Sequence, residues 1–309
     1  MAVDYKELKK GGFMRQKQKD CFSMRLKSVG GHFTAAQLGT VQQVAEKYGQ
    51  GYVHLTSRQG IEIPFIKLQD IDAVKAALKA GGVSVGVCGP RVRTITACQG
   101  AATCPSGLID TVKLANEFDK RYGGRELPHK FKFGFTGCHN NCLKAEENDL
   151  GVKGGVLPKW EAASCMYCGV CEAVCPEKAI RVDKEKKALA FDQESCVYCG
   201  KCIKSCPTDA WTGEHGFVIS FGGLYGNRIA IGRHFLPIVF DEAKVYDIVD
   251  VTLKFFEENA KPSERFAHCL DRVGWDVFEK KVEEVLCAKR RRMPPSISRT
   301  WSAPSRSSR

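Results

Sequence analysis

The sequence predicts an α+β protein, and three observations predict it. Between Phe22 and about Val87 short β-type runs alternate with two amphipathic helical runs; beyond Cys88 glycine-rich strand patterns share the chain with long helical patterns. Twelve of the sixteen cysteines fall into CxxC, Cx3C and Cx5C spacings. At 309 residues the chain has length for more than one core.

The first unit is expected over residues 1–87. FSMRLK, GYVHLT and IEIPFI read as strands, and TAAQLGTVQQVAEKYG and LQDIDAVKAALKA read as helices with apolar positions three and four apart. With SVGVCG as a last strand the order is βαββαβ, a ferredoxin-like unit. Gly30–Gly31, Gly49–Gly51 and Gly81–Gly82 punctuate it where turns are needed.

A second, α/β core is expected over 88–155 and 217–288. Its first part holds the helix candidate LIDTVKLANEFDKRYG and the strand candidate HKFKFGF; its second part holds FVISFGGLYGNRIAIGRHF and the helix candidate DEAKVYDIVDVTLKFFEENA. The cysteine-rich block 156–216 interrupts it as an insertion. The stretch 289–309, rich in Ser, Pro and Arg, reads as a disordered basic tail.

The inserted block carries an internal duplication. Cys165, Cys168, Cys171 and Cys175 stand as CMYCGVCEAVCP, and Cys196, Cys199, Cys202 and Cys206 as CVYCGKCIKSCP. Both resemble the CxxCxxCxxxCP run of bacterial dicluster ferredoxins, in which the fourth cysteine ligates the other cluster. That resemblance implies one [4Fe–4S] cluster on Cys165, Cys168, Cys171 and Cys206, and a second on Cys196, Cys199, Cys202 and Cys175. Zinc sites use two pairs and have no need of a third cysteine and a Cys-Pro pair.

Cys98 and Cys104, in CQGAATCPSG, and Cys138 and Cys142, in TGCHNNC, form a further set. Two pairs of thiolates from separate loops suit a cubane or a zinc ion, and spacing alone leaves both open.

The net charge of +12 invites a nucleic-acid reading, but the tail supplies seven positive charges and no acid. Nucleic acid is therefore not the expected partner. No apolar run is long enough for a membrane helix, and MAVDYKELKKGG lacks the apolar stretch of a signal peptide. Metal-ligand cysteine spacing points to a reducing, cytoplasmic setting.

The third cysteine set carries a family resemblance. Cx5C followed by TGCx3C and DLGV resembles the siroheme and [4Fe–4S] signature of sulfite and nitrite reductases. MRLK at 24–27, HLTSRQ at 54–59, LPHKFKFGFTGC at 127–138 and FGGLYGNRIAIG at 221–232 resemble segments of that family in its order. The resemblance covers Met24 to Phe278. The inserted ferredoxin block and the single, unduplicated core look most similar to dissimilatory-type enzymes and to the C subunit of anaerobic sulfite reductase.

That resemblance implies a third [4Fe–4S] cluster on Cys98, Cys104, Cys138 and Cys142, with Cys142 bridging to the iron of siroheme. It implies six-electron reduction of sulfite to sulfide, with nitrite reduction and a non-catalytic electron-transfer subunit as alternatives. Thr56 and Arg58 are read as siroheme contacts, because a guanidinium holds carboxylates bidentately. Gly222, Gly223 and Gly226 are read as room for the macrocycle, with Arg228 and Arg233 beside them. Lys130 and Lys132 alternate along HKFKF, point together and match the family's substrate lysines; Arg25 and Arg93 match its anion-binding arginines.

His54, His129 and His139 read as packed or surface histidines, and Cys21, Cys88, Cys269 and Cys287 as small apolar residues. No nicotinamide or flavin fingerprint is present, so electrons are expected from an external reductase subunit or a ferredoxin. A single core implies a homodimer or a pairing with a related subunit.

Overall fold

The structure, a computed structural model, describes residues 4–287. The basic tail lies outside them. Helix α1 (Tyr5–Lys10) is capped by Asp4, whose carboxylate accepts from the amides of Lys6 and Glu7. It leads into β1 (Phe13–Arg15) and β2 (Cys21–Arg25). Helix α2 (Ala35–Tyr48) opens on a capping box between Thr34 and Gln37. Strands β3 (His54–Leu55) and β4 (Ile61–Lys67) and helix α3 (Ile71–Ala80) complete the unit.

The sheet order is β1-β2-β4-β3, antiparallel throughout. Phe22, Met24, Ile63 and Ile66 on its inner face bury against Val41, Val44, Val74 and Leu78 of the helices. This corrects the expected βαββαβ order. SVGVCG forms no strand and contributes one bridge, Val85 to Leu26. Its glycines are the physical reason: Gly86 packs its backbone against the Arg25 carbonyl, and Gly89 sits at φ 89°. The sheet edge goes instead to β1, and GYVHLT keeps only two paired residues, both exposed.

The second sheet is mixed. Strands β5 (Thr96–Ala97), β6 (Phe133–Thr136) and β7 (Leu150–Trp160) run parallel. Helix α4 (Thr111–Tyr122), capped by Asp110, crosses between β5 and β6. HKFKFGF becomes strand only from Phe133, so Lys130 and Lys132 precede β6 rather than alternate along it.

Beyond β7 come α5 (Val170–Val174), the hairpin β8 (Ile180–Asp183) and β9 (Ala188–Phe191), and α6 (Lys201–Lys204). The chain returns as β10 (Trp211–Phe221), antiparallel to β7 from Leu150↔Phe221 to Trp160↔Trp211. Positions 156 and 216 therefore fall inside strands, and the cysteine-rich block hangs from an unbroken two-stranded ribbon.

The hairpin β11 (Leu224–Tyr225) and β12 (Ile229–Ala230) and helices α7 (Glu242–Asn259), α8 (Phe266–Val273) and α9 (Trp275–Cys287) close the core. Phe118, Phe131, Phe133, Phe135, Phe256 and Phe266 are all fully buried there, each stabilising by about 1.5–3 kcal/mol. Helices α8 and α9 were not expected from the sequence; they supply Phe266, Leu270 and Phe278 to this cluster.

Candidate functional site

Two adjoining clefts open between the N-terminal sheet and the mixed sheet. The smaller is lined by Arg25, Thr56, Arg58, Arg93 and Lys132. The larger is lined by Arg58, Lys132, Cys142, Lys144, Glu147 and Tyr225 among others. They share Ser57, Arg58 and Lys132. Five cations face one carboxylate across the two, so the clefts favour anions.

Arg58 and Arg25 are held by named partners. Arg58 Nη1 donates to Asn148 Oδ1 (2.9 Å) and Nη2 to the Thr94 carbonyl (3.0 Å). Burial lowers its pKa to about 10, against the pull of Asp149. Lys132 is lowered to about 8 by burial and by Arg58 and Arg265. Lys130 is half-buried outside the lining of both clefts, its ammonium pushed down by burial, Arg265 and Arg93. Arg93 is also lowered by burial. Arg25 lines the smaller cleft, but Glu62 already occupies it: Nε donates to Glu62 Oε1 at 2.7 Å, and Nη1 to Cys88 Sγ at 3.4 Å.

Beneath the clefts lies Asp149, fully buried. Arg265 Nη2 donates to both its carboxylate oxygens at 3.0 Å, and the Lys132 amide donates to Oδ2 at 2.9 Å. Arg265, Asn148 and Asp149 were not singled out in the sequence. Asp149 stood inside the quoted DLGV; Arg265 had no local signal, because α8 brings it in from more than a hundred residues away.

The glycine reading needs correction. A Cβ at Gly222, which sits at φ 74°, would strike Trp275, and one at Gly223 would strike the carbonyls of Glu146 and Asn148. Their missing side chains make room for the protein itself. Gly226 and Arg228 are exposed, and Arg233 stacks on Trp275 at 4.2 Å; none of these lines either of the two clefts, whereas Tyr225 lines the larger.

Cys138 and Cys142 sit on a loop between β6 and β7, with Asn141 (φ 53°) and Lys144 (φ 51°) in left-handed conformations around Cys142. Glu146 anchors this loop through Asn141, Lys153 and His234. Burial pushes the Cys138 thiol up, and the charges of Cys104, Cys142 and Cys98 add to the shift. Cys98 Sγ accepts from the Gly137 amide at 3.0 Å. Cys142 is exposed towards the larger cleft.

In the inserted block Cys165, Cys168, Cys171 and Cys206 ring one void, and Cys175, Cys196, Cys199 and Cys202 ring another. The duplication extends to the backbone. Tyr167 and Tyr198 share φ 54°, and their amides donate to Cys165 and Cys196 at 3.4 Å. Among the described residues no three His, Cys, Asp or Glu side chains converge as for one metal ion. Rather, each of these two thiol quartets lines a void. The second ring faces the core: the Val156 amide donates to the Tyr198 carbonyl (2.9 Å), and Lys204 Nζ to the Pro105 carbonyl (3.2 Å) beside Cys104.

Of the remaining residues, His54 is exposed, His129 and His139 are half-buried, and Cys88 and Cys269 are buried. Cys21, read like Cys287 as a small apolar residue, is half-buried, and Cys287 is exposed.

On this pair of sheets the chain sets thiol quartets beside an anion-favouring cleft. It belongs to the siroheme sulfite and nitrite reductase family. The nitrite and sulphite reductase 4Fe-4S domain matches residues 88–289, and the nitrite/sulfite reductase ferredoxin-like half domain matches residues 14–81. The coenzyme F420-dependent sulfite reductase of Methanocaldococcus jannaschii is 34% identical over 259 residues, 83% of this chain. The chain spans only 41% of that relative's length. The C subunit of the anaerobic sulfite reductase of Salmonella typhimurium is 33% identical over 280 residues, a match that takes in 82% of this chain and 80% of that relative. The crystal structure of dissimilatory sulfite reductase I shares the fold, with a TM-score of 0.70 at 20% identity over 90% of this chain and 74% of that one. No helix among the described residues is long and apolar enough to cross a membrane.

Proposed function

We propose that the chain reduces sulfite to sulfide at a siroheme joined through Cys142 to a [4Fe–4S] cluster on Cys98, Cys104, Cys138 and Cys142. The observation that carries this reading is that Cys142 and the cations Arg58, Lys132 and Lys144 line one cleft. The residues fit the group: the carboxylates of such a macrocycle would meet the cations Arg58, Lys132 and Lys144, and the exposed Cys142 thiol would be free to serve its iron as a ligand. When bound, siroheme with its cluster supplies the electron-rich iron on which sulfur–oxygen bonds are broken.

The chain's own residues do the rest. Arg58 orients macrocycle carboxylates from its fixed position on Asn148 and Thr94. Lys132, with Lys130 and Arg93 close by, binds the oxyanion and donates protons to departing water. Each hydrogensulfite takes six electrons and six protons and releases hydrogensulfide and three waters. Cys165, Cys168, Cys171 and Cys206, and Cys196, Cys199, Cys202 and Cys175, would hold two further [4Fe–4S] clusters, which would pass electrons inward from an external reductase subunit or ferredoxin. The second thiol ring, packed beside Pro105, is the inner one.

We further propose a cytoplasmic homodimer or a pairing with a related subunit. The exposed Tyr225, Ile229 and Ile231 of the hairpin beside the cleft support an assembled state.

The test is an anaerobic absorption spectrum with pigment extraction, an iron count and paired turnover assays. An isobacteriochlorin, about thirteen irons per chain and faster sulfite than nitrite turnover are expected. Iron–sulfur absorption alone, in protein from siroheme-producing cells, overturns the catalytic reading in favour of an electron-transfer subunit; faster nitrite turnover overturns the substrate.

A further inference from the structure

The duplicated thiol rings differ at one buried position. Trp211 follows Cys206 in the same relation as Ile180 follows Cys175. Trp211 lines the void of Cys165, Cys168, Cys171 and Cys206; Ile180 lines the void of Cys175, Cys196, Cys199 and Cys202. Both are 2% exposed. The Trp211 indole Nε1 is buried and has no hydrogen-bond partner in the protein. Its ring is fixed by Phe191, edge to face at 5.3 Å, and by the end of the β7–β10 ribbon, where it pairs with Trp160.

A buried donor without an acceptor is costly, and evolution of a folded chain tolerates few. Here the residue that carries it lines the void ringed by four thiols. We propose that the Trp211 N–H donates to a sulfur of the first cluster and raises its reduction potential above that of its duplicate. The inference rests on the dicluster reading given above. A hydrogen bond to a cluster sulfur disperses negative charge and so favours the reduced state. Ile180 has no such donor to offer the second cluster.

Two further differences bear on the balance. Thr208 Oγ1 lies 3.7 Å from Cys206 Sγ, whereas Glu177 holds the matching position after Cys175; both favour the first cluster for the electron. Lys201 lines the second void and opposes this, but Glu177 lines it too, and both are exposed to water. The outer cluster is therefore the one that receives and holds the incoming electron, with the inner one as the relay to the core.

The test is an anaerobic redox titration of the full-length holoprotein followed by electron paramagnetic resonance, with iron counted on each sample. In Trp211→Phe, which keeps the ring and removes the N–H, one midpoint is expected to fall towards that of its twin while the iron content holds. Unchanged midpoints with iron intact overturn the inference alone. Wild-type protein lacking the iron for the two inserted clusters overturns the dicluster reading and the inference with it. Independently of any variant, protein labelled with indole-15N tryptophan is expected to show a 15N coupling on a reduced cluster. Its absence overturns the inference even if Trp211→Phe fails to assemble.

Discussion

Arg265 and Asp149 form a buried ion pair, with Arg265 Nη2 3.0 Å from both carboxylate oxygens and side-chain exposures of 10% and 0%. The pair joins α8 to the start of β7. Because Asp149 also accepts the Lys132 amide and its carbonyl accepts the Gly222 amide, one carboxylate-bearing residue ties together the cleft lysine, the ribbon and the helical layer.

Breaking that pair from one side strands a charge in the core. Arg265→Met is expected to destabilise the protein by about 3–5 kcal/mol, whereas the double change with Asp149→Leu costs less than the single one plus its partner would. Chemical denaturation under anaerobic conditions measures both; additive losses would show that the two residues act separately.

Lys132 sets a pH limit. Its pKa is lowered to about 8 by burial and then by Arg58 and Arg265, so it is cationic below that value and neutral above it. Sulfite binding and turnover are expected to fall as pH rises through about 8. Lys132→Arg, which stays charged, is expected to move the alkaline limb upward while turning over more slowly, because a guanidinium is a poor proton donor. An unmoved limb would assign the titration to another group.

Arg58 binds through two fixed contacts, to Asn148 and to Thr94. Arg58→Lys retains charge and loses the fork, and purified protein is expected to carry several-fold less siroheme at unchanged cluster iron. Pigment extraction against iron content separates this outcome from general misfolding, which lowers both.

Local patterns in the sequence carried much of this site, and long-range packing carried the remainder. The CxxCxxCxxxCP runs can be read without the fold because ligand spacing is a short-range property; in the fold Cys165, Cys168, Cys171 and Cys206 line one void and Cys175, Cys196, Cys199 and Cys202 another. The helices at Thr111–Tyr122 and Glu242–Asn259 were legible from periodicity and aspartate caps. By contrast, SVGVCG has strand-like alternation but glycines that serve a close approach to Arg25, and nothing local marks that use. Gly222 and Gly223 mislead in the same way, since a glycine needed for protein packing reads like one needed for a ligand. Arg265 and Glu62 act on the clefts across the fold, and their partners are visible only once the chain is folded.

Glu146 holds the loop that carries Cys142, and its acid titration offers a direct test. Burial alone would push its carboxyl up, but His234 and Lys153 bring it down to about 2. A carboxylate depressed from its ordinary value of 4.5 stabilises the fold fully above that pH and loses its contribution as pH falls towards 2. Glu146→Gln is therefore expected to cost on the order of 2–3 kcal/mol at pH 7, with the gap to wild type closing below pH 4.5. Denaturation at a series of pH values measures the gap; a gap independent of pH would mean that the loss comes from shape and not from charge. The same variant loosens Asn141, so the environment of Cys142 is expected to change with it, visible as a shifted absorption spectrum at neutral pH.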